Sequence, residues 1–574
     1  MEWEKGLEKN TPVYNFVTSN EKRIRVIAGP GTGKSFALKK RILRLLEAED
    51  ISPESILVLT FTKLSAKDLK TDLLKLSNEN PSIKGIDKIV ANTIHGLCYD
   101  FISKYPEISP GRKLRTLLDF EKESLLNDLD DKYGNRNKKK KRLNAFEAAV
   151  KTDEYDGQFY SDVLDWLKIH NAMLFGELVT QTICYLEENP SSRKLKKYKH
   201  ILVDEYQDLN QQEQKLIGLL ANEKSLVVIG DDNQSIYSFK HAHPEGIINF
   251  HETHPTCKDF NFPECRRTPK KVLEKASKLI SHSKNPSNYS LSAYKDVQEG
   301  HVCMLESESF DEEVRKIAER IESDKNNYGI DNKDILILAP LASLVKKAQQ
   351  ELEEHNNSSI SYFKHSFLSS NLTKEAFSLL TLMVYPNDNI SLDYLLSKGS
   401  KIRLAGKNEL TRDAVMSKIE KIKKTITIDR NLLSDELMKD STENEMLKSL
   451  IAEAVNEIDF TTNPTVRKWL KQVHSYVYKR VLFPEKVFSS TDDYIKIMSL
   501  HASKGLGAKY VIIMHATDDK IPLKTYGNIE DQRRLFYVAV TRCKNTDEKD
   551  NYQGTLIISK IKNRESRFLR EMGV

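Results

Sequence analysis

No Cys-x-x-Cys pair occurs among the six cysteines of this chain, Cys98, Cys184, Cys257, Cys265, Cys303 and Cys543. Scattered in this way they argue against a disulfide framework and fit free thiols in a reducing compartment. Long apolar runs are missing too: no stretch approaches the about eighteen consecutive apolar residues a membrane span requires. The start, Met1-Glu2-Trp3-Glu4-Lys5, lacks the apolar centre of a signal peptide. A soluble, cytoplasmic protein is the expectation. Nor is there an excess of one charge. Charged residues make up 30% of the chain, yet the net charge is only +6, so composition alone does not nominate a polyanionic partner. The 574 residues exceed what one core organises, and roughly three or four domains are expected.

What is present is an alternation. Short β-branched runs at 56–60, 200–204, 226–230, 335–339, 497–500, 510–514 and 555–559 are separated by helical stretches. That order predicts an α/β protein with parallel sheets wrapped by helices. The runs fall into two sets, each interrupted by a long helical segment. The expected boundaries are 1–97 with 190–250 for a first α/β domain and 98–189 for its insertion. The second domain is then expected at 251–384 with 490–574, and its insertion at 385–489.

A strand over 23–27 runs into Ala28-Gly29-Pro30-Gly31-Thr32-Gly33-Lys34-Ser35, followed by a helix over 35–46. Glycines at this spacing let consecutive backbone N–H groups face phosphate oxygens, with Lys34 reaching the outer phosphates and Ser35 offering a hydroxyl to Mg2+. The helix N-terminus adds its partial positive charge. Ala28 stands where the pattern begins with glycine, a mild change. A second buried strand over 199–203 ends in Asp204-Glu205-Tyr206-Gln207-Asp208, placing one carboxylate to hold the metal and the next to polarise a water. Together these strings predict binding of ATP or a related nucleotide.

Two clusters carry weaker signals. Lys138-Lys139-Lys140-Lys141-Arg142 reads as a solvated loop, with a nucleic-acid contact as the alternative. His241, His243, His251, His254 and Cys257 crowd one stretch, but their spacing matches no zinc pattern.

The ordered strings resemble the UvrD/Rep/PcrA-type superfamily 1 DNA helicases. Leu59-Thr60-Phe61-Thr62-Lys63-Leu64-Ser65-Ala66 is similar to their motif Ia, and Asn92-Thr93-Ile94-His95-Gly96 to the next DNA-contact motif. Asp204–Asp208 is similar to their acidic box, and the string from Val228 through Gln234, Tyr237 and Phe239 to motif III. Glu264-Cys265-Arg266-Arg267-Thr268-Pro269, His501-Ala502-Ser503-Lys504-Gly505-Leu506 and Arg533–Arg542 resemble motifs IV, V and VI.

The resemblance implies two RecA-like P-loop domains, each with a mainly helical insertion, with ATP between them and single-stranded DNA across their top. It implies catalytic roles for Glu205, Gln234, Arg266 and Arg542, phosphate binding by residues 28–35, and Mg2+ on Ser35 and Asp204. It further implies DNA contacts at Phe61, Thr62, His95, Tyr237, Phe239, Lys240 and Ser503. Aromatics suit a motor that grips any sequence, since every base offers a π-face. The implied activity is ATP-driven translocation and unwinding, 3′ to 5′, on single strands and single-strand/duplex junctions, in DNA repair or genome defence. A second reading follows from the short second insertion: a nucleic-acid-activated NTPase subunit, as in anti-phage systems of the Gabija type, that licenses a separate partner nuclease. Three departures stand out. Val13 lies where the family carries an adenine-reading glutamine, and Gly507-Ala508 replaces the Glu-Phe that ends motif V. Lys240-His241 takes the place of Arg-Gly; lysine keeps the charge but loses the planar fork.

Overall fold

The computed structural model describes the 574-residue chain except for residues 80–82, 112–113, 149–156, 193–196, 285–289, 362–366, 369, 397–410, 439–444, 459–464, 484–492, 524–527 and 548. It forms two compact units. One comprises Met1–Ile94, Leu186–Phe363 and Val487–Val574; the other comprises His95–Tyr185 and Lys364–Lys486.

The first unit is built on two six-stranded sheets. One contains β1 (Arg23–Ala28), β2 (Ile56–Leu59), β3 (Val90–Asn92), β4 (His200–Val203), β5 (Ser225–Gly230) and β6 (Lys258–Phe262), in the order β3-β2-β4-β5-β1-β6. After a short parallel pair, β7 (Glu264–Cys265) and β8 (Ser292–Ala293), the other sheet uses β9 (His301–Ser307), β10 (Ile335–Ala339), β11 (Ser359–Ser361), β12 (Ile495–Ser499), β13 (Tyr510–Ile513) and β14 (Thr555–Ile561), ordered β11-β12-β10-β13-β14-β9. Neighbours in both sheets run parallel, with registers such as Ile24↔Val227 and Leu338↔Met498. Central strands of such sheets are covered on both faces and read as continuous apolar runs. β2 and β10 are buried throughout. On the second sheet one face packs Leu338, Met498, Val511, Phe536 and Phe568, and the other packs Ile317, Ile321, Ile337, Ile497 and Ile512.

The expected boundary at 250 is corrected by β6, which pairs with β1 from Ile24↔Lys258 to Ala28↔Phe262 and so belongs to the first sheet. As an edge strand it buries only Phe262 fully, and therefore carries no apolar run to be read. The edge strand β9, also outside the expected runs, does carry one, Val302-Cys303-Met304-Leu305, but it is only partly buried.

The second unit is helical. Leu125, Phe159, Val163 and Leu167 form one cluster that includes Ile390, while Leu118 joins Leu380, Ile419, Trp469 and Val473 in another. Arg115 donates to Glu121 at 2.8 and 2.7 Å and to Asp388 at 3.0 Å, and the Tyr478 hydroxyl donates to the Thr116 carbonyl. The two insertions, expected as separate additions, thus share their cores. The helix Asn371–Val384 also lies here, and not in the second α/β domain as the expected boundary at 384 placed it. Its residues are buried on every side from Ala376 to Val384, as a helix apolar all round requires.

The basic run is no loop. It lies in the helix Arg136–Glu147, capped by the Asn135 side chain, and Lys139 is buried, donating to the Leu129 carbonyl at 2.6 Å and to Asp131 at 3.0 Å. Lysine and arginine are good helix formers, and a polar N-cap sets the start. Among the described residues no helix is long and apolar enough to cross a membrane.

Candidate nucleotide and nucleic-acid site

The phosphate loop joins β1 to α1 (Lys34–Glu47). Thr32 braces it by donating to the Gly29 carbonyl at 2.9 Å, and the Gly31 carbonyl accepts from the Arg266 N–H at 2.9 Å. Gly31 has φ +71° and a Cβ there would stand 2.6 Å from that of Arg267. Both the left-handed backbone and the close approach demand glycine.

Across the loop, β4 ends at the acidic box. The Lys34 ammonium lies 3.5 Å from Glu205 Oε1. Burial alone would lower the lysine pKa, but Glu205, Asp204 and Asp231 outweigh it and hold the ammonium charged. Glu205 sits at φ +54°, a left-handed conformation unusual for a side-chain-bearing residue and typical of strained functional positions. Its N–H donates to Asp204 Oδ1 at 2.9 Å. Burial and the adjacent Glu205 charge push the Asp204 carboxyl up. At Glu205 burial acts in the same direction, yet Lys34 and Lys504 win and keep that carboxylate ionised. The Ser35 hydroxyl and the Asp204 carboxylate are hard oxygen donors of the kind Mg2+ takes, so this donor set fits the ion.

A hydrogen-bonded run leaves Glu205. The buried Gln207 donates to Glu205 Oε2 at 2.6 Å and accepts from the Asp231 N–H at 3.1 Å, and Gln234 donates to Asp231 Oδ2 at 2.7 Å. Lys504, reaching over from the turn after β12, donates to Asp208 and, at 2.6 Å, to the Gln234 carbonyl. Three residues beyond Gln234 the aromatics begin. Tyr237 stacks on Phe61 with centroids 4.6 Å apart and planes 27° from parallel; Phe239 meets Tyr237 edge-on at 5.9 Å and His501 at 5.6 Å. Lys240 lies 5.8 Å from the Phe61 centroid and 5.4 Å from that of Tyr237. Phe239 is 47% exposed, a large apolar ring left in water. These residues sit just past the C-terminal ends of β2, β5 and β12, the edge where parallel sheets bind ligands.

Some expected residues are placed otherwise. Arg266 is turned outward: its guanidinium stacks 4.0 Å above the Tyr294 ring and its side chain is 45% exposed, 3.8 Å from Glu8. Its neighbour Arg267 is the one turned inward, half-buried, donating to the Thr541 carbonyl at 3.1 Å and feeling the Glu205 charge. Arg542 is buried beside it, donating to the carbonyls of Val538 at 2.7 Å and Leu506 at 3.0 Å. Desolvation and the Arg267 charge lower its pKa to about 9. Ser503 is fully buried, its hydroxyl donating to the Leu500 carbonyl at 2.7 Å, so it presents nothing to a DNA backbone. The Thr62 hydroxyl is 2.8 Å from that of Ser65 and accepts from the Ser65 N–H at 3.2 Å, a capping role at the start of α2 (Lys63–Glu79). His95, which opens the second unit, stacks on Phe175 at 4.3 Å. Gln207, Asp208, Arg267, His501 and Lys504 were missed. Each lies inside or beside a string already singled out, but spacing does not say which way a side chain turns.

Of the histidine and cysteine stretch, His251 and Cys257 converge with Asp259 to within 4.8 Å. The Arg25 fork already neutralises Asp259 at 2.9 and 2.5 Å, and burial with the Asp259 charge pushes the Cys257 thiol up to about 11. A protonated thiol beside a matched ion pair is a poor metal site.

Comparison with known proteins agrees with this geometry. A family model described as the UvrD/REP helicase N-terminal domain matches residues 10–124 and 111–255, and one for the UvrD-like helicase C-terminal domain matches 261–407 and 402–546. The chain is 25% identical to the ATP-dependent DNA helicase Rep of Buchnera aphidicola, over 90% of this chain and 91% of that one. It is 24% identical to the ATP-dependent DNA helicase PcrA of Staphylococcus epidermidis, over 98% of this chain and 86% of the relative.

Proposed function

Because this chain belongs to the UvrD/Rep helicase family, we propose that it hydrolyses ATP at the Lys34–Glu205 centre and spends each turnover on movement along single-stranded DNA, 3′ to 5′. The observation that carries this reading is the hydrogen-bonded run from Glu205 through Gln207 and Asp231 to Gln234, which ends three residues from the Phe61–Tyr237 stack. Chemistry and grip are joined by one short segment.

Phosphoryl transfer to water asks for charge neutralisation and an oriented nucleophile more than for covalent chemistry. Lys34 and the loop N–H groups hold the outer phosphates. Ser35 and Asp204 would hold Mg2+, which supplies further neutralisation of phosphate charge. Glu205, kept ionised by two ammonium groups, takes the proton of the attacking water at its carboxylate. Gln234 orients against the terminal phosphate, and Arg267 and Arg542 bring guanidinium charge to the phosphate that is transferred. On the DNA side Phe61, Tyr237 and Phe239 stack on bases while Lys240 meets a phosphate.

Base selectivity is expected to be loose. A Cβ at Gly507 would meet the Arg542 carbonyl oxygen at 2.8 Å, so the glutamate of the family's motif V has no room there, and Val13 packs against the core of the first sheet. We expect kcat/KM for ATP to exceed that for GTP and CTP by less than about tenfold; steady-state kinetics with the three nucleotides reads this directly. The motor itself is tested by strand displacement from duplexes carrying a 3′ or a 5′ single-stranded tail. Displacement of the 3′-tailed duplex supports the reading, preference for the 5′ tail reverses the polarity, and ATP turnover on single strands without displacement of either duplex leaves translocation without unwinding.

A further inference from the structure

Lys504 makes four contacts with groups that otherwise belong to separate tasks. Its ammonium donates to Asp208 and to the Gln234 carbonyl at 2.6 Å, lies 3.7 Å from Glu205 Oε2, and sits 5.5 Å from the centroid of the Tyr237 ring. The side chain is 7% exposed and that of Asp208 is fully buried. All four partners are carried by the first sheet, on the turns after β4 and β5, while Lys504 is carried by the second sheet, on the turn after β12.

We propose that Lys504 is the positioning residue through which a base stacked at Tyr237 sets the placement of the Glu205 carboxylate. Tyr237 is at present stacked on Phe61. A base entering that stack must part the two rings, and Tyr237 cannot move without changing its face-on contact with Lys504. The same ammonium holds Gln234 through its carbonyl, so a shift there alters the residue that faces the terminal phosphate. It also shares Glu205 with Lys34, so withdrawal or advance of Lys504 moves the carboxylate toward or away from the water position. Asp208 is the anchor: one of its carboxylate oxygens takes Lys504, and the other is buried with no hydrogen-bond partner among the described residues. A group so constrained has a few discrete positions and not a continuum, which is what coupling between two sites requires.

The inference rests on the reading of the chain as a DNA-coupled ATPase. Its test compares the wild-type chain, K504Q and K504Q/D208N, reading ATP turnover with and without a single-stranded oligonucleotide and, separately, the Kd for the same labelled oligonucleotide. K504Q alone leaves Asp208 buried without its counter-charge and risks misfolding; the double variant exchanges the ion pair for a neutral hydrogen bond, and its thermal melting confirms the fold. The expected result is a stimulation ratio that falls to within about twofold of one in the double variant, with a Kd within about threefold of wild type. A double variant that is stimulated as strongly as wild type overturns the proposal. Loss of stimulation in step with loss of oligonucleotide binding also overturns it, making Lys504 a DNA contact. A wild-type ratio near one removes the underlying reading, and this inference with it.

Discussion

Lys34→Ala is expected to lower single-strand-stimulated ATP turnover by at least about a hundredfold, with the fold retained. Lys34 stands at the junction of the phosphate loop and α1, with Glu205 3.5 Å away and the Asp204 and Asp231 charges around it. On the proposed reading its removal takes away the ammonium that meets the outer phosphates. It also leaves the half-buried Asp204 and Glu205 and the buried Asp231 without the Lys34 charge, so phosphate oxygens entering the site meet uncompensated negative charge. The loop itself is held by the Thr32–Gly29 and Arg266–Gly31 hydrogen bonds, neither of which involves the Lys34 side chain. Thermal melting is therefore expected to shift little while kcat collapses. A variant that keeps wild-type turnover would show that phosphates are met elsewhere.

Glu205→Gln is expected to cost about a thousandfold in kcat while leaving nucleotide binding in place. The amide occupies the same volume and retains an oxygen for the 2.6 Å hydrogen bond from Gln207, but it accepts no proton from water at physiological pH. Loss of the negative charge also relaxes Lys34, and tighter ATP binding accompanies slower hydrolysis. Single-turnover hydrolysis and equilibrium titration with a fluorescent ATP analogue separate the two effects. A fall in affinity as large as the fall in kcat would mean that Glu205 acts in binding and not as the base.

Much of this site is legible in the sequence. The phosphate loop, the acidic box and the central strands β2, β4, β5, β10, β13 and β14 announce themselves because buried parallel strands are apolar on both faces and because phosphate-binding loops need glycine at fixed intervals. The edges were not legible. β6 carries lysine, aspartate and asparagine and shows no apolar run, while β9 holds only the short, partly buried run Val302–Leu305 between polar ends. The helical insertions were visible as helical but not as one body. Nothing local in Arg115, Glu121 or Asp388 says that residues 273 apart in sequence will be bonded, or that Leu118 and Ile390 will each pack into the other segment's core. Within the site, residue type was readable and direction was not: Arg266 and Arg267 are adjacent in the sequence, and only packing against Thr541 and Tyr294 decides which turns inward and which faces water. The same holds for Ser503 and Lys504, of which the serine turns into the core and the lysine reaches the carboxylates.

Steady-state ATP hydrolysis by the full chain, with and without a single-stranded oligonucleotide, is the most direct measurement of the link between the Glu205 centre and the Phe61–Tyr237 stack. Stimulation by at least about tenfold, absent in Lys34→Ala, is the predicted result. Turnover by the wild-type chain that ignores the oligonucleotide would contradict the coupling of hydrolysis to single-strand binding.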